Sequence, residues 1–151
     1  MDIYAKLNEL GYALPELPPR GGIYKPVRRV GNLLYVSGQG PTVRGVPEFT
    51  GKVGGESTLE QAQDAARLCA LNALSTLNNY LGDLNKLKGL VKTLGFVASA
   101  PGFNMQPKVI DGCSNFLAQL MGDEGIGARS AIGVNELPGN ITVEIEFIFE
   151  I

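Results

Sequence analysis

The chain has 151 residues, of which 44% are hydrophobic and 19% are charged. This length favours a single domain, and the composition is typical of a globular protein rather than a disordered one. Thirteen Lys and Arg residues against fifteen Asp and Glu residues give a formal charge of −2, so the chain has no strong basic field. Nucleic acid is therefore not an expected partner.

Histidine is absent from the chain. Its absence excludes the usual serine and cysteine triads and the commonest zinc sites. Any catalysis must therefore come from carboxylates, Lys, Tyr, Arg, backbone groups and water. Cys69 and Cys113 lie far apart within helical patterns, and both are predicted to be reduced thiols in the core.

Neither a secretion signal nor a membrane span is evident in the sequence. The segment 1–6 lacks a basic start and an apolar run, and no segment reaches the ~18 apolar residues of a membrane helix. We therefore expect a cytoplasmic protein without a membrane partner.

Helical and extended patterns follow one another along the first part of the chain. Apolar residues at helical spacing predict a short helix over residues 3–10, and the prolines that follow predict an extended connector. Two segments, Val27-Arg28-Arg29-Val30 and Leu33-Leu34-Tyr35-Val36-Ser37, flank the dipeptide Gly31-Asn32 and predict a β-hairpin. The glycines and prolines of residues 38–55 predict a surface loop that is too broken for a regular element.

Two longer helices and three strands are predicted after this loop. Capping boxes at Ser57 and Thr58 begin a helix over about 59–81, with Gly82 as its end signal. The remaining pattern predicts, in chain order, a strand at 90–98, an amphipathic helix from Pro107 to Gly122, and strands at about 129–136 and 141–150.

Arg129 is the most informative residue, because it opens a predicted strand and its neighbours on one side of that strand are small. A guanidinium stays charged and can hold a small carboxylate by two parallel hydrogen bonds. If Pro138-Gly139 forms an even-length turn, the last two strands pair, and Arg129 and Glu144 share a face about 13 Å apart. A three-residue turn would reverse that parity. In either case one chain can hardly bring both residues onto a small substrate.

Three segments carry a family resemblance: Tyr35-Val36-Ser37-Gly38-Gln39, Gly127-Ala128-Arg129-Ser130-Ala131, and Leu137-Pro138 followed by Val143-Glu144-Ile145-Glu146. In this order and spacing they resemble the RidA/YjgF family of reactive-intermediate deaminases, also labelled endoribonuclease L-PSP. The similarity covers residues 21–151, and residues 1–20 resemble an N-terminal extension found in one branch. The resemblance implies a chorismate-mutase-like α/β (α+β) fold, a mixed sheet with two main helices on one face. It also implies a homotrimer with clefts between subunits.

The resemblance further implies hydrolysis of short-lived enamines and imines, such as 2-aminoacrylate, to a 2-oxo acid and ammonia, without metal or cofactor. Arg129 matches the family's carboxylate-binding arginine, and Glu144 matches the acidic residue that orients or deprotonates water. Tyr24 and Ser37 match hydroxyl residues of the pocket wall, and Gly38 matches a position where the backbone approaches the ligand.

The chain departs from the family pattern at two positions. Ala131 replaces a cysteine whose pocket contact is largely through its backbone, and Ile110 replaces a pocket-side asparagine. These changes are compatible with a different substrate preference. Two other functions remain open: a trimeric protein that binds a 2-oxo acid without turnover, and, less favoured, an endoribonuclease. The ordinary structural roles also remain open, namely a surface or ion-pair role for Arg129, packing for Tyr24, a backbone contact for Ser37 and a solvated strand face for Glu144.

Overall fold

A five-stranded mixed sheet and two long helices on one of its faces form the architecture of the chain. The computed structural model describes residues 1–151. The helices are α1 (Ile3–Glu9), α2 (Leu59–Leu81) and α3 (Gln106–Met121). The strands are β1 (Val27–Val30), β2 (Leu33–Gln39), β3 (Thr42–Val43), β4 (Val46–Pro47), β5 (Gly89–Ala98), β6 (Ala128–Val134) and β7 (Val143–Glu150). This arrangement confirms the predicted fold class.

Helix α2 begins and ends as the sequence predicts. The Thr58 side chain accepts a hydrogen bond from the Gln61 backbone, and the Gln61 side chain accepts one from the Thr58 backbone. Gly82 ends the helix at a φ of 74°, in the left-handed region that glycine adopts without strain. The alanines and leucines between these caps bury one side of the helix.

Helix α3 packs closely against α2 because of a single small residue. A Cβ at Gly112 would overlap the carbonyl oxygen of Gln63 on α2, so glycine sets the distance between the two helices. Pro107 lies in the first turn, where the missing N–H leaves no intrahelical bond unmade. Cys69 and Cys113, one on each helix, are buried and unpaired, which confirms their prediction as core thiols.

The order of the strands is β1-β2-β7-β5-β6. Strand β7 alternates as predicted, and Val143, Ile145, Phe147 and Phe149 are all buried on the side that faces the helices. Strands β5 and β6 are parallel because α3 forms the crossover between them.

The predicted pairing of the last two strands is wrong. Strand β5 lies between β6 and β7, and residues 138–140 form a short 3-10 turn rather than a hairpin loop. The physical reason is that β7, with its regular apolar side, occupies the middle of the sheet between β2 and β5. The crossover through α3 leaves β6 at the edge.

The segment 38–55 contains more regular structure than the sequence predicts. Strand β2 continues to Gln39, and β3 and β4 form a small separate hairpin. Arg44 and Gly45 form its turn, both with positive φ. Two consecutive residues of positive φ give the backbone twist that a two-residue hairpin turn needs. The proline and glycine content of the segment does not by itself predict this hairpin.

The first twenty residues pack against the rest of the chain. Ile3 and Leu7 are buried in the core, and the ring of Tyr12 meets the ring of Phe116 edge to face at a centroid distance of 5.2 Å. The Ser75 hydroxyl of α2 donates a hydrogen bond of 2.8 Å to the Pro15 carbonyl. The division of the chain at residue 20 stays a prediction. No helix has both the length and the apolar character to cross a membrane.

Candidate functional site

Arg129 lies on edge strand β6, level with Thr93 of β5. Its side chain extends over the helix-covered face, where Nη1 donates hydrogen bonds of 2.9 Å to Asp111 Oδ1 and 3.2 Å to Ser114 Oγ. Both of these partners belong to α3. The guanidinium is therefore held by the helix that links β5 to β6.

The Arg129 guanidinium keeps unused donors. Its side chain is 29% exposed, and neither Nε nor Nη2 donates to another group of the chain. A small cavity of about 170 Å³ adjoins it, lined by Leu90, Thr93, Ser114, Gly125, Ile126, Gly127 and Arg129. Because a guanidinium carries five N–H donors, a ligand carboxylate can bind without breaking the contact with Asp111.

The nearest thiol offers no nucleophile to this cavity. Cys113 is fully buried next to Ser114, and burial raises the pKa of its thiol to about 12, although the Arg129 charge lowers it in part. A thiol with that pKa is protonated at neutral pH, and only the thiolate is nucleophilic.

Glu144 lies on the opposite face of the sheet. Its neighbours Val143 and Ile145 point towards the helices, so the Glu144 side chain projects from the open face, level with Phe96. Burial raises the pKa of the Glu144 carboxyl, and the nearby charge of Glu146 raises it further. A raised pKa suits a carboxylate that exchanges protons near neutral pH.

Gly38 allows the chain to pass close to the Glu144 carboxylate. A Cβ at this position would lie 3.0 Å from both the Cδ and the Oε2 atoms of Glu144. The regular register of β2 and β7 is interrupted between Val36 and Gln39, and Gly38 lies within that irregularity. The structure thus brings Gly38 and Glu144 together, and the absence of a side chain makes this approach possible.

The hydroxyls of Ser37 and Tyr24 have backbone partners. Ser37 Oγ donates a hydrogen bond of 2.7 Å to the Lys25 carbonyl, and Tyr24 Oη accepts one of 3.0 Å from the Gly21 amide. Tyr24 and Gly38 line a common cavity of about 330 Å³, together with Arg20 of the N-terminal segment. In the isolated chain, the Ser37 hydroxyl therefore satisfies a backbone carbonyl.

Ala131 and Ile110 lie on the helix-covered side of the sheet. Ala131 follows Arg129 by two residues and lies beside Gly95 of β5. Ile110 is fully buried and packs over Gly95, where even a methyl group on the glycine would collide with it. Ile110 is consequently a core residue rather than part of a cavity wall.

The candidate residues form two separate groups in one chain. Arg129 is level with Thr93 and Glu144 with Phe96, and strand β5 separates them. Two inter-strand spacings and three residues along the strands put their Cα atoms about 14 Å apart. Since their side chains also leave opposite faces, no small molecule contacts both within one chain. The shared face that an even-length turn would give these two residues does not occur, because β5 lies between β6 and β7 and those two strands do not pair.

Asp111 and Ser114 are functional candidates that sequence reasoning missed. The one available signal is their i, i+3 spacing, which puts both polar side chains on the same side of a helix. An isolated Asp in an amphipathic helix is ordinarily solvated, so the pattern did not separate it from surface residues. No group of three or more Cys, Asp or Glu side chains comes together as a metal site.

Comparison with known sequences and structures identifies the family of the chain. Residues 4–150 match the model of the family described as "YjgF/chorismate_mutase-like, putative endoribonuclease". The chain belongs to the RidA/YjgF family. Protein TCP17 of Trypanosoma cruzi is 37% identical over 150 residues, which cover 99% of this chain and 94% of that protein.

Two solved structures of family relatives extend the match to the whole fold. Protein Atu1372 of Agrobacterium tumefaciens is 45% identical with a TM-score of 0.90, over 99% of this chain and 91% of that one. A Shewanella oneidensis protein named "putative endoribonuclease" is 28% identical with a TM-score of 0.95, over 100% of both chains. The N-terminal segment therefore has a counterpart in both structures.

Proposed function

We propose that this RidA/YjgF protein hydrolyses reactive enamines and imines of small 2-amino acids to 2-oxo acids and ammonia. The observation that carries the proposal is the Arg129 guanidinium, which is partly exposed beside a cavity of about 170 Å³ and has two nitrogens without a protein partner. It would bind the substrate carboxylate through charge-assisted hydrogen bonds, each worth roughly 1.5–3 kcal/mol.

Glu144 supplies the proton chemistry in this proposal. Water adds to the carbon of the C=N bond, the resulting carbinolamine expels ammonia, and a 2-oxo acid remains. The Glu144 carboxylate accepts a proton from the attacking water and returns it to the departing nitrogen. Its raised pKa supports both steps, and a positioned group of this kind contributes typically ~10²–10⁴ in rate.

Two chains must contribute to one site for this chemistry to occur. We propose a homotrimer in which Arg129 of one chain faces Tyr24, Ser37, Gly38 and Glu144 of its neighbour. The open sheet face supports an assembly, because it exposes Tyr35 by 42% and Ile132 by 44%. Strand β6 also has an unpaired edge, which ordinarily requires cover.

The test of this function is the release of pyruvate from 2-aminoacrylate. A PLP-dependent serine dehydratase generates the substrate, and pyruvate formation is followed with and without the protein. We expect the wild type to accelerate release and Arg129→Ala to abolish the acceleration. Arg67→Ala is the matched control, because Arg67 also pairs with an Asp and its side chain is 33% exposed.

Three other results would count against the proposal. Acceleration that persists in full in Arg129→Ala removes the carboxylate-binding role of Arg129. Calorimetric binding of 2-oxobutyrate without any acceleration instead identifies a binding protein that uses the same cleft. RNA cleavage that survives purification and disappears in Arg129→Ala would revive the endoribonuclease function that the family name carries.

A further inference from the structure

The carboxylate of Asp111 lies beside the guanidinium that is proposed to bind substrate. Asp111 Oδ1 accepts from Arg129 Nη1 at 2.9 Å, and the two side chains are 33% and 29% exposed. Asp111 Oδ2 receives no hydrogen bond from the chain. The site therefore presents a cation and a partly free anion side by side, both reachable from solvent.

Such a pair binds ligands of different charge with different affinities. A 2-oxo acid brings only a negative charge, so it is attracted by Arg129 and repelled by Asp111. A ligand with a protonated nitrogen next to its carboxylate meets an opposite charge at both positions. Selectivity arises as much from the repulsion of the wrong ligand as from the attraction of the right one.

Folding stability does not explain why a carboxylate lies beside Arg129. Partly exposed pairs between single side chains contribute little to the free energy of folding. Ser114 already accepts a hydrogen bond of 3.2 Å from the same nitrogen, so a neutral group is available to orient the guanidinium. Asp111 adds to the site mainly a negative charge.

We propose that Asp111 makes the site selective for the protonated iminium form of the substrate, and more generally for zwitterions that carry a cationic nitrogen beside the carboxylate. This inference rests on the proposed function. Arg129 binds the carboxylate and Asp111 Oδ2 accepts from the iminium N–H. The protonated form is also the better electrophile, since its nitrogen already carries positive charge.

The negative charge of Asp111 also favours release of the product. The iminium acid CH3–C(=NH2⁺)–COO⁻ and water give pyruvate and NH4⁺, so the organic product has lost its cationic group. Pyruvate then faces the Asp111 carboxylate without compensation, and its affinity for the site falls. Asp111 thus favours substrate over product.

The experiment measures the affinities of L-2-aminobutyrate and 2-oxobutyrate by calorimetry on the intact protein. The two ligands differ only at C2, which carries a protonated amine in the first and a carbonyl in the second. We expect wild type to bind the amino acid about tenfold more tightly than the oxo acid, the ratio expected for one additional charge contact at a partly exposed site. In Asp111→Asn, which keeps the Oδ1 acceptor, the ratio should fall to about one or below, because 2-oxobutyrate gains affinity while the amino acid loses it.

Matched variants separate this role from simple positioning. Ser114→Ala removes a neutral contact of the same nitrogen, and Asp64→Asn removes the charge of the analogous pair with Arg67. Both should leave the ratio unchanged. Asp111→Ala removes the charge and the acceptor, and it should reproduce the ratio of Asp111→Asn even where both affinities fall.

Three outcomes would overturn the inference. The first is an equal change in the affinities of both ligands in Asp111→Asn. The second is tighter binding of 2-oxobutyrate than of L-2-aminobutyrate by the wild type. The third is the absence of binding by either ligand. None of them decides the proposed function, because only pyruvate release and its dependence on Arg129 do so. Conversely, a protein that shows the expected ratio but releases no pyruvate supports the selectivity and contradicts the hydrolysis.

Discussion

Strands β6 and β7 carry the two principal candidate residues in contrasting surroundings. Strand β6 lies at the sheet edge, and each of its residues is exposed or half-buried. Strand β7 lies near the middle, and every second residue is buried. The edge leaves the Arg129 guanidinium accessible, as an anion-binding group requires, whereas partial burial on the open face of the sheet raises the pKa of Glu144, as a proton-transfer group requires. In the proposed function, one chain therefore separates binding from proton transfer, and association of chains is expected to reunite them.

The largest expected effect comes from mixing two inactive variants. Arg129→Ala and Glu144→Gln should each lose nearly all pyruvate release. If each site takes Arg129 from one chain and Glu144 from the next, an equimolar mixture that is unfolded and refolded together should recover about a quarter of wild-type activity, because a quarter of the interfaces combine two intact residues.

The control for this mixture is each variant refolded alone, which should remain inactive. A mixture as inactive as its components would contradict a shared site. Sedimentation of the wild type as a monomer would contradict it independently.

Arg129→Ala should reduce kcat/KM by about 10²–10⁴ while changing the free energy of unfolding by less than about 1 kcal/mol, because a partly exposed ion pair adds little to stability. Kinetics and urea denaturation of the same preparation measure the two effects. A loss of activity that is matched by a large loss of stability would show that Arg129 serves mainly to hold α3 against β6.

Gly38→Ala tests how closely the chain must approach Glu144. The new methyl group would lie 3.0 Å from the carboxylate, which must then shift by a few tenths of an ångström. We expect kcat/KM to fall about tenfold, since displacements of this size at a reacting group are costly. Gly55→Ala is the control, because its Cβ would lie no closer than 3.4 Å to any neighbour and φ is not positive. Equal kcat/KM values for the two variants would show that the position of the Glu144 carboxylate does not affect catalysis.

The pH dependence of hydrolysis should report on Glu144. The base must be deprotonated, so kcat/KM should fall as the pH is lowered through the raised pKa of this carboxyl. Glu146→Gln removes the neighbouring charge that raises this pKa, so the acid limb of the pH profile should move to lower pH. An acid limb that stays in place would assign it to another group.

Glu144 also links activity to stability. A carboxyl whose folded-state pKa is raised contributes stability below its unfolded-state pKa, and this contribution is lost as the pH rises through the folded-state value. Glu144→Gln should therefore unfold at a higher temperature than wild type at neutral pH, although it is inactive. The difference should shrink in acid, as scanning calorimetry at two pH values can show.

Ser37→Ala should have the smallest effect. Its hydroxyl already donates to the Lys25 carbonyl, so we expect a loss of about 1 kcal/mol in stability and less than a threefold change in kcat/KM. A large kinetic effect with unchanged stability would instead give this hydroxyl a role in the pocket.

Local signals in the sequence determined most of the elements. The capping box at Thr58 and the glycine at position 82 set the bounds of α2, and the alternation of β7 identified its buried side. These signals are readable because each depends on residues close together in the chain. Three short segments also sufficed to indicate the family, which the match over residues 4–150 confirms.

The tertiary structure alone decided which strands are neighbours and which face each candidate residue occupies. The sequence places β6 and β7 next to each other, yet the α3 crossover puts β5 between them and directs Arg129 and Glu144 to opposite faces. The contact of Arg129 with Asp111, 18 residues away, was equally invisible. Strand order and side-chain partners depend on contacts between distant segments, and periodicity within a segment contains no information about which distant segment it will meet.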